Sequence, residues 1–348
     1  MSTKFRIRLR RLGGAAAAAV VAVAAFTATP PSASAAASQV PATSVEHDLP
    51  AGRTASAAVS VEKFWTPQRM KSARLLDATV ATGRMPSAAR LTATVNTVRP
   101  AAYVPAELPP SMGLAAVGVT STVGRVFFSD PNGSVDGCSG GSVTSEAGDM
   151  VLTAGHCVYG GSNFENDGKV PRGWYQNWVY VPGYYVDASG AAHTPYGIWA
   201  AWGAVTTPTW YYSNPADETQ DVAVGLVMRN AANQSLTTVV GGQGLTIESP
   251  LLQPVRSYGY PVDPNNPSAP VGLQTCTSRL GKLPSQGVMI CGMGPGSSGG
   301  PWLIFQDAWG MGLVAGINTY WDPQLDVMYS PWFSAQNILP IYTDWRNK

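Results

Sequence analysis

From about residue 113 onward the apolar positions come in short runs broken by Gly, Pro, Asn and Asp, which is the pattern of strands and turns. The runs predict strands at 123–128, 138–143, 150–154, 222–228, 237–240, 255–258, 273–277, 288–291, 302–305 and 311–318. The first is closed by the turn sequence Asp130-Pro131-Asn132-Gly133, and the second and third are joined through Glu146-Ala147-Gly148-Asp149. Many short strands with frequent Gly and Pro specify an all-β sandwich or barrel. Only the end differs: residues 334–345 read as a helix opened by Ser334 as N-cap and kinked by Pro340.

The pattern upstream divides in two. Lys4, Arg6, Arg8, Arg10 and Arg11 precede an apolar run from Ala15 to Phe26, and Ala33-Ser34-Ala35 has the A-x-A form of a cleavage site. That run is short of the ~20 residues a membrane span needs, so residues 1–35 read as a secretory signal peptide. Residues 36–112 are rich in Ala, Thr, Ser and Pro and hold no cysteine. They contain one expected helix, at 68–82, opened by Thr66-Pro67 and stopped by Gly83. Phe64, Trp65, Leu75 and Leu76 are more apolar than a linker needs, so this stretch reads as a pro-region or, failing that, a linker. The domain proper is then 113–348, with the mature chain expected to begin between residues 105 and 120.

Composition agrees with export. Charged residues are 12% of the chain, against roughly 25% in ordinary soluble domains, and the net charge is +1. That balance gives no footprint for nucleic acid, and none for a membrane once the signal is removed. The four cysteines, Cys138, Cys157, Cys276 and Cys291, read as two disulfides in an exported chain. Three pairings are open; Cys138–Cys157 and Cys276–Cys291 are expected because each closes a short loop. No C-x-x-C spacing occurs, so no zinc site is expected. The stretch between His156 and Asp221 is dense in Trp and Tyr, and reads as surface loops packed onto a barrel.

Candidate chemistry lies in three places. Thr153-Ala154-Gly155-His156-Cys157 sets a histidine just after a predicted strand, and Asp221 heads the apolar run Asp221-Val222-Ala223-Val224-Gly225. Gly296-Ser297-Ser298-Gly299-Gly300-Pro301 sets a serine in a glycine-flanked turn. A serine nucleophile needs a base, and the base needs an orienting acid. Ser298 is preferred to Ser297 because Gly-Gly follows it, and His156 to His47 and His193 on context. Asp221 is preferred to Asp217 and Glu218, which lie in a polar approach. Gly296 and Ser298 would offer backbone amides to a developing oxyanion.

These motifs, in the order His, Asp, Ser, resemble those of chymotrypsin-fold (trypsin-like) serine peptidases. The phrases Val181-Pro182-Gly183-Tyr184 and Pro195-Tyr196-Gly197-Ile198-Trp199 are similar to bacterial enzymes related to glutamyl endopeptidases. The resemblance spans residues 117–345. It implies two six-stranded antiparallel β-barrels with a C-terminal helix, His156 and Asp221 coming from the first barrel and Ser298 from the second. It further implies a secreted, monomeric endopeptidase that acts on peptide or protein substrates through an acyl-enzyme and uses no metal or organic cofactor. An esterase with the same triad, or an inactive binding module of the same fold, are the alternatives. Two positions depart from the pattern. Ser297 stands where animal trypsin-like enzymes have an amine-accepting aspartate, and Asn318 stands where glutamyl endopeptidases place a histidine. The resemblance puts the specificity pocket at Met293, Gly294, Asn318 and Thr319, with no acid there to hold Lys or Arg.

Overall fold

The computed structural model describes residues 43–49, 53–76, 104–110, 119–161, 172–213, 216–261 and 271–348. The expected signal peptide lies outside them. Among the described residues no helix is long and apolar enough to cross a membrane.

Six antiparallel strands close into a barrel: Gln176–Pro182, Val123–Ser129, Val135–Ser142, Met150–Thr153, Ala223–Val227 and Trp199–Thr206, in that order around the wall. The ring is shut by Trp199 opposite Tyr180 and Ala200 opposite Val179. Two of these strands come from the aromatic stretch expected to be surface loops. All eight residues of Trp199–Thr206 are buried, so its outer face is covered too, and no polar alternation marks it as a strand. The barrel interior is fitted around one large side chain. A Cβ on Gly225 would come within 2.6 Å of the Trp178 indole, so only glycine leaves room for it.

The second half is built from two sheets. One runs Gly244–Leu245, Leu313–Ile317, Pro301–Ile304, Pro254–Gly259, Gln274–Arg279; the other runs Gly281–Lys282, Gln286–Ile290, Val327–Pro331, Tyr320–Asp322. The chain passes between them without a loop, through Leu280 and again through Asn318 and Thr319. The two sheets are therefore successive stretches of the same bent strands, around a core that includes Trp302, Met289, Leu280 and Ile304. Among the described residues one six-stranded ladder is closed, and the second barrel that the resemblance implies is seen in part, as these two sheets. The run expected as a strand at 237–240 is a helix, Leu236–Val240, because Leu236 and Val240 bury one turn apart on the same side.

The C-terminal helix is Ile338–Trp345, shorter than expected. Asn337, not Ser334, is its cap, accepting from the Ile338 amide at 2.7 Å. Pro340 then falls in the first turn, where no amide is needed, and the helix is not broken. Tyr342 donates its hydroxyl to the Thr144 carbonyl at 3.0 Å and so fixes the helix to the barrel.

Residues 43–49 and 53–76 fold onto the barrel. Val45–Asp48 adds an antiparallel strand beside Trp199–Thr206, with Val45 opposite Thr206. Thr43 donates to Asp344, and Ser44 accepts from the Trp345 indole. The helix Ala55–Phe64, which has no counterpart among the expected elements, is capped by Thr54. The expected helix at 68–82 is Pro67–Ser72, with Thr66 as cap and Pro67 at its start. It stops there because the chain turns extended, and Arg74–Leu75 pairs in parallel with Asp136 and Gly137. Trp65 is the anchor: it is buried, its indole N–H donates to the Asn177 carbonyl at 2.6 Å, and its ring lies 5.4 Å from that of Phe127.

Candidate active site

His156 sits in a single 3-10 turn, Gly155–Cys157, directly after the barrel strand Met150–Thr153. The turn is tied down next door, because Cys157 is bonded to Cys138 on the adjacent strand with S–S 2.02 Å. Asp221 follows the short 3-10 helix Glu218–Gln220 and is fully buried. Two contacts lock the pair. The His156 backbone N–H donates to Asp221 Oδ1 at 2.8 Å, and His156 Nδ1 lies 2.7 Å from Oδ2. A carboxylate at Nδ1 makes that nitrogen the proton carrier and leaves Nε2 with its lone pair. The rival acid Asp217 is occupied elsewhere as the cap of the same 3-10 helix, accepting from the Thr219 amide at 2.9 Å. Tyr320 packs against Asp221, and burial together with that carboxylate holds its phenol well above the ordinary range.

Ser298 lies on the loop entering the strand Pro301–Ile304. Its carbonyl accepts from the Ser139 amide at 2.7 Å, and Cys157 Sγ lies 3.8 Å from the same oxygen, so the serine and histidine loops meet. Gly299 has φ +83°, and a Cβ there would strike Thr153 Oγ1 and the Ser139 carbonyl. Glycine is required on both counts. Ser297 is turned away, its Oγ 3.3 Å from the Met293 carbonyl.

Ser139 is a residue that sequence reasoning passed over. Its hydroxyl donates to the Gly296 carbonyl at 2.8 Å and accepts from the Tyr260 amide at 2.9 Å, while its own amide holds Ser298. One barrel residue thus positions both ends of the serine turn. The only signal in the sequence is its place directly after Cys138.

The residues expected to form a specificity pocket surround the base of this loop. Asn318 is fully buried, and its Nδ2 donates to the carbonyls of Tyr258 (3.0 Å) and Ser297 (3.1 Å). Met293 is buried beside it, with Sδ 3.8 Å from Asn318 Nδ2. Thr319 donates its hydroxyl to the Tyr329 carbonyl at 2.9 Å. Gly294 is half-buried and accepts from the Ser297 amide at 3.3 Å. Cys276 and Cys291 are also bonded to each other. Cys138, His156 and Cys157 cluster closely enough to suggest a metal site, but the two sulfurs are spent in a disulfide and offer no thiolate.

The sequence matches no protein-family model. It also matches no curated protein. Solved structures do match. A thermostable serine protease from an extremophilic microorganism shares 26% identity at TM-score 0.55, over 66% of this chain and 99% of that one. The protease Anisep from Arthrobacter nicotinovorans shares 27% identity at TM-score 0.53, over 65% of this chain and 96% of that one. A Glu endopeptidase gives TM-score 0.50 at 14% identity, over 69% and 96%, which is a likeness of fold alone. With its closed six-stranded barrel, the chain resembles the serine proteases of chymotrypsin fold.

Proposed function

We propose that the protein is a secreted serine endopeptidase in which Ser298 is the nucleophile, His156 the general base and Asp221 the acid that orients it. The observation that carries this reading is the double engagement of His156 by Asp221, buried beside the glycine-bound turn of Ser298. In the reaction His156 Nε2 takes the Ser298 hydroxyl proton as Oγ attacks the peptide carbonyl. The oxyanion is held by the amides of Gly296 and Ser298. The histidine proton passes to the leaving amine, the C–N bond breaks, and an acyl-Ser298 ester remains. Water, deprotonated by the same histidine, then releases the acid. The basic and apolar leader and the two disulfides support export. Met293, Gly294, Asn318 and Thr319 stay the proposed surroundings of the pocket. Asn318 acts there through the loop it holds, since its amide is taken up by buried partners.

The test is covalent labelling. A fluorophosphonate should add to Ser298 Oγ with loss of fluoride, found by mass spectrometry of the digested protein. Ser298→Ala should lose both the adduct and casein hydrolysis, the latter by about 10⁴-fold or more. An adduct on Ser297, or hydrolysis that survives Ser298→Ala, would sink the assignment.

A further inference from the structure

The amide assigned to the oxyanion is already in use. The Gly296 N–H donates to the backbone carbonyl of Leu76 at 3.2 Å, and the Leu76 N–H donates to the Gly137 carbonyl at 3.3 Å. Leu76 is 1% exposed, and a methyl placed on Gly296 would lie 3.0 Å from Leu75 Cδ2. A peptide group of the N-terminal segment thus rests where a substrate carbonyl would have to go. His156 and Ser298 are 0% and 5% exposed.

The segment is fastened immediately before this contact. Arg74 Nε donates to Asp136 Oδ1 at 2.8 Å, and its Nη2 donates to Asp136 Oδ2 and Asp130 Oδ2, both at 3.1 Å. Both carboxylates are buried, whereas the Arg74 side chain is half exposed. Arginine suits this place because its planar fork meets one carboxylate with two bonds and the second with a third. Trp65 and Met70, both buried, hold the chain that leads to it.

We propose that residues 74–76 are a built-in plug of the active site: the Leu76 carbonyl takes the Gly296 amide, and the Arg74 clamp on Asp130 and Asp136 keeps it there. This rests on the serine-peptidase reading. An oxyanion donor held by a neutral carbonyl cannot stabilise a tetrahedral intermediate until that carbonyl leaves. With the segment in place Ser298 is 5% exposed, so the closed chain reacts slowly with proteins and with small acylating reagents alike. Release requires that Arg74 let go of its two carboxylates or that the segment be removed.

The experiment measures the rate at which a fluorophosphonate labels Ser298 in the full-length chain. Wild type is compared with Arg74→Ala, Arg74→Lys, Leu75→Asp and the double variant R74A/L75D. Near-UV circular dichroism of each variant reports whether the fold is kept. The plug predicts slow labelling of wild type, labelling at least tenfold faster in Arg74→Ala and in Leu75→Asp, and an intermediate rate in Arg74→Lys. A residue of merely structural importance would change unfolding and leave the labelling rate of the folded protein where it was. Should Arg74→Ala not fold, Leu75→Asp carries the same comparison, because it leaves the ion pairs in place. Wild type that labels as fast as the folded variants overturns the plug and leaves the serine-peptidase reading standing. A folded double variant that does not label at all overturns both.

Discussion

The indole N–H of Trp302 donates to Oδ1 of Asn318 at 2.6 Å. Ser257 Oγ donates to the same oxygen at 2.7 Å, so both ends of the Asn318 amide are satisfied inside the core. Removing it leaves the Trp302 indole N–H without its acceptor and takes a partner from Ser257 Oγ, at about 1–3 kcal/mol for a buried group left unpaired, while the Ser297 carbonyl keeps the Gly300 amide. We expect Asn318→Ala to destabilise the protein by about 3 kcal/mol or more, measured by urea unfolding. Because Asn318 holds the Ser297 carbonyl, turnover should fall while the ranking of a peptide library stays the same. A changed ranking with unchanged stability would show instead that Asn318 reads the substrate directly.

A second expectation separates the two neighbouring acids. Asp221→Asn keeps the shape but puts the proton on the wrong histidine nitrogen, and hydrolysis should drop by about 10⁴-fold. Asp217→Asn keeps an oxygen that can cap the same 3-10 turn and should stay within a few-fold of wild type. Equal losses in both would mean that Asp221 acts through local folding and not through His156.

Much of the second half and the three chemical motifs could be read from residue order, because each is local. A strand shows as a short apolar run, a serine turn as glycines, and the candidate histidine as a residue beside a cysteine. The barrel strands Gln176–Pro182 and Trp199–Thr206 were hidden because apolar residues bury on both faces and erase the period of two. The roles of Trp65 and Leu76 were hidden for another reason. The partner of Trp65 lies 112 residues away, and no local pattern encodes a contact at that distance. Their apolarity said only that something must cover them.

The two disulfides should differ in reactivity. Cys138 and Cys157 are both fully buried, whereas Cys276 is half-buried. Mild reductant without denaturant should open Cys276–Cys291 first, seen by alkylation and mass spectrometry. Replacing Cys138 and Cys157 by alanine should cost about 2–4 kcal/mol and loosen the His156 turn. Loss of Cys138–Cys157 before the other bond would contradict the burial argument.

Asp149 gives a pH dependence of stability. Burial raises its carboxyl to about 6, against weaker lowering by Trp202, its own backbone, Arg53 and Arg229. A carboxyl with a raised folded pKa binds its proton more tightly folded than unfolded. Stability is therefore highest below the unfolded value near 4, falls as pH rises to about 6, and is flat above that. The fall amounts to about 3 kcal/mol at most. Urea unfolding at pH 4 to 8 should show this component in wild type and not in Asp149→Asn. Parallel profiles in the two proteins would refute it.

The hydrogen bonds from Thr43 to Asp344 and from Trp345 to Ser44 join residues 301 positions apart. No such contact can form until almost the whole chain exists, and closing so long a loop costs entropy that only a finished surface can repay. A chain emerging from its N-terminus can pair Val45–Asp48 with Trp199–Thr206 as soon as that strand exists, whereas Thr43 and Ser44 wait for the C-terminal helix. The first residues of the described chain therefore make their final contacts only once the last helix is in place.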